Sequence, residues 1–142
     1  LVISQVLKKL NQNVILDCLE SIAYKGDAKI AYKKNRLTKN NYNDLNIPKN
    51  SVIIDCLFGI GLNRKVKGMY KKIIQKVNSL KQHIISIDIP SGINGNNGKI
   101  MGEAIKANST YTLHAKKIGL TVNSGMKYSG KISIIDIGIR YR

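Results

Sequence analysis

Acidic side chains are scarce in this sequence: eight Asp and Glu stand against 24 Lys and Arg, a formal net charge of +16 over 142 residues. A carboxylate at a structurally prominent position therefore singles itself out. Cysteine is nearly absent, and Cys18 and Cys56 each lie in an apolar, strand-like run. With His83 and His114 they form no zinc-ligand spacing, so both are expected to be buried free thiols in a reducing cytosol. No apolar run approaches the length of a membrane span and no secretory signal pattern is read, so the expected setting is cytoplasmic, with no membrane partner. No repeat or low-complexity linker divides the chain, and its length suits one domain, residues 1–142. It begins at Leu1 rather than Met, from which an upstream piece is expected to be missing.

Arginine is scarce too, since 20 of the 24 basic residues are Lys, spread evenly and accompanied by much Asn and Ile. Surfaces that recognise nucleic acid favour Arg and interleaved aromatics. The charge therefore reads as Lys on solvated faces, and specific nucleic-acid binding is not expected.

What is present is a strand–carboxylate–glycine construction that occurs twice. In residues 84–95, Ile-Ile-Ser-Ile-Asp-Ile-Pro-Ser-Gly-Ile-Asn-Gly, a β-branched run ends at Asp88 and is stopped by Pro90, Gly92 and Gly95. About thirty residues earlier, Ser-Val-Ile-Ile-Asp-Cys-Leu-Phe-Gly-Ile-Gly repeats the plan with Asp55, Gly59 and Gly61. Between them Met69, Ile73, Ile74, Val77 and Leu80 recur at helical spacing, with Lys on the other face. Strand, helix and strand in that order form a parallel βαβ unit. Ligands of such sheets bind beyond the carboxyl ends of the strands, where both carboxylates stand.

Elsewhere the periodicity predicts a helix over 1–10, a short strand over 14–19, a helix over 27–36 with Asp27 as N-cap, and a surface loop over 39–50. Strands are expected at 110–114 and 132–137, a turn at 94–99, and a helical turn at 103–106.

Gly59-Ile-Gly-Leu-Asn-Arg is not the dinucleotide fingerprint, because Arg64 stands three places after Gly61 where that motif has Gly. The two glycines permit a tight turn with N–H groups facing an anion, or an ordinary turn. Arg64 and Lys65 beside them suit a phosphorylated ligand. Asp55 and Asp88 each could cap the following loop, yet two at equivalent strand ends point to a shared cleft. With the hydroxyl of Ser91 they are hard-oxygen ligands for a cation, or a base over a substrate. Ser91 lacks the setting of an elbow nucleophile, and no His lies near it in sequence, so a Ser-His-Asp hydrolase fits poorly. Asp136 reads as structural. Lys116 and Lys117 follow a strand and either touch a ligand phosphate or are merely solvated.

Asp55-Cys-Leu-Phe-Gly-Ile-Gly-Leu-Asn-Arg, Ser86-Ile-Asp-Ile-Pro-Ser-Gly-Ile, Ala107-Asn-Ser-Thr-Tyr-Thr-Leu with Lys117-Ile-Gly-Leu, and Asp136-Ile-Gly-Ile together resemble the YjeF N-terminal domain family, the NAD(P)H-hydrate epimerases. The resemblance implies a Rossmann-like three-layer α/β/α sandwich with a mostly parallel sheet. It implies an isomerase that interconverts the R and S epimers of hydrated NADH and NADPH, in repair coupled to a dehydratase. It also implies a potassium ion held by Asp55 and Ser91. Gly59, Ile60, Gly61, Leu62, Asn63, Arg64 and Lys65 would form the substrate loop, and Asp88 would contact the nucleotide as the acid/base. A homodimer is compatible with it. The family's Asn-Gly-Gly-Asp loop, whose Asn is a further potassium ligand, has no counterpart in this chain, and Asn108 and Leu113 stand where the family usually has Asp and Phe. The alternative implied by the same resemblance is a non-catalytic dimerisation or RNA-binding module.

Overall fold

A computed structural model of the chain describes residues 1–17, 24, 26–35, 37, 39–40 and 47–139. It divides into two compact units, Leu1–Ile47 and Pro48–Arg142.

The first unit contains helix α1 (Val2–Lys9), helix α2 (Gly26–Lys34) and two short strands, β1 (Leu16–Asp17) and β2 (Lys39–Asn40), which pair in parallel. Buried Asn35, just past α2, donates from Nδ2 to Leu1 O (2.9 Å) and Ser4 Oγ (3.0 Å), which fixes the start of α1. Of the expected loop 39–50, residues 47–50 are loop ending in a turn, whereas Lys39 and Asn40 are strand. Neither residue favours a strand, and the pairing with Leu16 and Asp17 overrides propensity. Cys18 and the end of the expected strand 14–19 lie outside the described residues.

The second unit is a sheet of four parallel strands in sequential order: β3 (Val52–Asp55), β4 (His83–Ile87), β5 (Ser109–Leu113) and β6 (Lys131–Ile135). Helix α3 (Gly68–Ser79) connects β3 to β4 and helix α4 (Asn123–Tyr128) precedes β6. This is the Rossmann-like α/β arrangement. Its core has two parts. Val66, Ile74, Val77, Ile84, Ile105 and Ala107 form one beneath α3, and Ile89, Ile93, Ala104 and Leu120 form the other, by the β4–β5 connection. Burying an Ile side chain such as Ile74 or Ile89 contributes about 1.5–3 kcal/mol, so these positions hold the crossovers to the sheet.

Two expectations need correction here. Residues 103–106 form no helical turn, because their amides bond to other segments. Ile105 N–H donates to Ser91 O (2.8 Å), Lys106 N–H to Asn78 Oδ1 (2.9 Å) and Ala107 N–H to Tyr128 O (2.8 Å). Cys56 is exposed rather than buried, since it follows the last residue of β3, where the chain leaves the sheet.

Candidate functional site

The register of the sheet assembles the site. Asp55 ends β3 and lies opposite Ser86 of β4, and Asp88 follows β4 by one residue. Both carboxylates therefore stand at the carboxyl edge of neighbouring parallel strands, but they differ in how they are held.

Asp55 is buried and accepts four hydrogen bonds. Oδ2 takes Ser86 Oγ–H (2.8 Å) and Ser91 N–H (2.8 Å); Oδ1 takes Ser91 Oγ–H (2.5 Å) and Leu57 N–H (3.2 Å). Burial raises its pKa above the ordinary carboxylate value of 3.8, and the bonds from Ser91, Ser86 and Leu57 oppose that rise without cancelling it. No ion pair to Asp55 occurs among the described residues. Phe58 N–H donates to Ser91 Oγ (2.8 Å), and Phe58 O lies 3.3 Å from the same atom. A carboxylate, a hydroxyl and a carbonyl thus converge, a donor set of hard oxygens that suits a cation of low charge density, and no group of three or more His, Cys, Asp or Glu placed to hold a metal occurs among the described residues.

A folded-state pKa above the unfolded value means that protonated Asp55 favours the fold. That stability is fully present below the unfolded carboxylate pKa and is lost as pH rises through the folded one. In potassium-free buffer, the melting temperature of the wild type relative to Asp55→Asn should therefore decline from pH 3.8 upward, as Asp55 ionises. A difference that stays flat from pH 4 to pH 8 would contradict this.

Asp88 is held differently. Its backbone lies in the left-handed region (φ 73°), which costs a non-glycine residue about 1–2 kcal/mol. Its N–H donates to Tyr111 O (2.8 Å), and its Oδ1 accepts Leu113 N–H (3.3 Å) and the ammonium of Lys117. Oδ2 has no hydrogen-bond partner among the described residues. Asp55 and Asp88 share an edge of the sheet, one buried and held by four hydrogen bonds, the other partly exposed with one oxygen free of partners among the described residues.

The loop after β3 opens beside them. A cavity of about 360 Å³ is lined by Leu57, Phe58, Gly59, Gly61, Leu62, Asn63 and Arg64. Ile60 and Lys65, also expected here, do not line it. Gly59 and Gly61 are not at positive φ, and a Cβ at either meets nothing within 4 Å. The fold does not require glycine at these positions, and the open space beside them suits close approach of a ligand to the backbone. Arg64 and Lys65 are exposed and have no acidic partner among the described residues. Leu57 and Phe58, which line this cavity, also bond Asp55 and Ser91, so the cavity adjoins those two residues.

Ser86 is a site residue that the sequence signals only as a polar residue inside Ile-Ile-Ser-Ile. Of the two alternatives for Lys117, phosphate contact or solvation, the structure shows neither: its ammonium bonds Asp88, Leu113 O and Thr112 Oγ1. Asn108 and Leu113, the two substituted positions, contribute bonds that do not depend on the family's usual residue chemistry at the site. Asn108 Oδ1 accepts Ile84 N–H (2.8 Å), and its backbone carbonyl accepts Lys131 N–H (3.0 Å), so this residue ties β4 to β6 through one side-chain and one backbone bond. Leu113 contributes backbone N–H and C=O, which any residue supplies.

The parallel sheet with two carboxylates and a glycine loop at its carboxyl edge is an open α/β arrangement, the class whose ligands bind beyond the strand ends. Residues 5–119 match the family described as YjeF-related protein N-terminus, and the chain belongs to that family. Its relatives include an NAD(P)H-hydrate epimerase of Limosilactobacillus reuteri (strain ATCC 55730 / SD2112), 42% identical over 86 residues, 61% of this chain and 41% of that protein. Another, from Lentilactobacillus buchneri (strain NRRL B-30929), is 47% identical over 91 residues, 64% of this chain and 42% of that protein. A bifunctional NAD(P)H-hydrate repair enzyme Nnr of Dictyoglomus turgidum (strain DSM 6724 / Z-1310) is 44% identical over 88 residues, 62% of this chain and 17% of that protein. The chain thus spans less than half the length of these curated relatives.

Proposed function

We propose that this chain is the domain of an NAD(P)H-hydrate epimerase, an isomerase that interconverts the R and S forms of hydrated NADH and NADPH. The observation that carries the reading is the pair of unlike carboxylates at one sheet edge, beside an open glycine loop. The family match crosses the junction at Ile47, which supports reading residues 1–142 as one domain. The relatives' names supply the substrate, and the bifunctional relative supports coupling to a dehydratase acting on the same hydrates.

In this reading the cavity of Gly59, Gly61, Leu62, Asn63 and Arg64 receives the nucleotide, with the flanking positive charge of Arg64 and Lys65 toward its phosphates. Asp88 faces the hydrated ring with Oδ2. Changing the configuration of the hydroxylated carbon breaks and remakes a bond there, and a proton must be given and recovered. A carboxylate with one oxygen anchored and one free can do both. Asp55, Ser91 and the Phe58 carbonyl would hold potassium, which when bound supplies positive charge against buried Asp55. The exposed free thiol of Cys56 suits a reducing, cytoplasmic compartment, and no helix among the described residues is long and apolar enough to cross a membrane.

The test is potassium dependence. Epimer exchange by the full-length protein should rise on adding potassium to a potassium-free, sodium-free buffer. The melting temperature should rise with it, since ligand at a hundredfold excess over its dissociation constant stabilises by about 2.7 kcal/mol. Asp55→Asn should weaken both effects more than Ser91→Ala, because it removes the charge. Equal exchange with and without the ion would remove potassium from the account.

A further inference from the structure

We propose that Lys117 is the positioning residue of this site, anchoring one oxygen of Asp88 so that the other, Oδ2, is the one that moves the proton. This rests on the reading of Asp88 as the acid/base.

An ammonium has three N–H donors and no acceptor. Lys117 spends all three within the protein: on Asp88 Oδ1, on Leu113 O (2.8 Å) and on Thr112 Oγ1 (3.1 Å). The Thr112 hydroxyl donates its own proton to Ala115 O (3.2 Å), so its lone pairs are the ones that receive Lys117. Nothing is left over for a ligand phosphate, and with only 15% of its side chain exposed Lys117 is not a freely solvated lysine. Its charge is directed at Asp88.

The backbone that carries it is fixed. Gly119 N–H donates to Gly95 O (2.7 Å), and a Cβ at Gly119 would stand 2.1 Å from Asn94 O. The segment after β5 is thereby clamped to the loop after β4, which also carries Asp88. On the other side Leu113 N–H meets the same Oδ1 that Lys117 holds. One carboxylate oxygen is pinned from two directions on a backbone already in the left-handed region, and the free oxygen takes its orientation from that grip. Lys117 acts through Asp88 and not on the ligand.

The discriminating experiment is a double-mutant cycle on epimer exchange by the full-length protein, with kcat and KM measured separately. Lys117→Ala should lower kcat by about 10²-fold, the effect of misplacing a reacting group by an ångström, with KM changed by less than about threefold. Lys117→Arg, which keeps charge and donors, should stay within about tenfold of wild type. Asp88→Asn combined with Lys117→Ala should be no slower than Asp88→Asn alone, because the lysine has nothing left to position. If the Ala variant melts early, Lys117→Met keeps the aliphatic stem and carries the same comparison. Losses that multiply in the double variant, or a rise in KM at unchanged kcat, overturn this inference while leaving the acid/base reading in place. Wild-type exchange that Asp88→Asn leaves intact overturns that reading and this inference together, and so does a wild-type protein with no exchange.

Discussion

Asp88→Asn should lower the rate of epimer exchange by about 10²–10⁴-fold, the ordinary worth of a general acid/base. The substitution is nearly isosteric, and the amide oxygen can still accept Leu113 N–H and a proton of Lys117, so the turn survives. What is lost is the capacity of the free atom to give and take a proton. Affinity for the hydrated nucleotide should fall far less than turnover. A loss of binding that matches the loss of rate would make Asp88 an anchor for ligand rather than the acid/base.

The largest expected effect on stability is at Gly92. It lies at φ +96°, and a Cβ there would sit 1.9 Å from Glu103 O and 2.7 Å from Ala104 Cα, both backbone atoms. Neither can give way locally, because Met101 N–H bonds Gly92 O (2.7 Å) and Ile105 N–H bonds Ser91 O (2.8 Å), stitching the two segments together. Gly92→Ala combines a disfavoured backbone with an overlap, and about 3–5 kcal/mol of lost stability is expected from the two together. The segment that must move carries Ser91, so Asp55 loses two of its four donors in the same step. Gly59→Ala is the control: with open space and no positive φ, its melting temperature should stay close to wild type. Equal behaviour of the two variants in thermal melts would refute this account of Gly92.

These outcomes mark what was legible in the sequence. The runs ending at Asp55 and Asp88, with amphipathic α3 between them, gave the parallel unit and the edge where the site lies, because strand period, helix period and glycine stops agree there. The partnership of Asp88 with Lys117 was not legible. It spans 29 residues and depends on where the chain after β5 is clamped, which no local pattern encodes. Residues 103–106 misled for a related reason, since their amides are taken by residues distant in sequence. Lys39 and Asn40 carry no strand signal at all and become strand through a partner. Helix α4 has only six residues, too few for a period to show, and it packs so closely that a Cβ at Gly125 would lie 1.7 Å from Gly119 O. The ligand proposed for this edge rests on the resemblance and on the names of relatives, since strand and helix patterns carry no ligand identity.

The central claim is that this sheet edge interconverts the two hydrates. The most direct measurement starts from a single pure epimer of hydrated NADH and follows the other by NMR, with full-length protein, potassium present and dehydratase absent. The account predicts approach to the equilibrium mixture from either epimer, faster than the spontaneous rate and in proportion to protein concentration. Exchange at the spontaneous rate by folded protein would contradict it. If the same protein also bound RNA tightly and selectively at physiological salt, where a merely basic surface binds weakly, the non-catalytic reading would take its place.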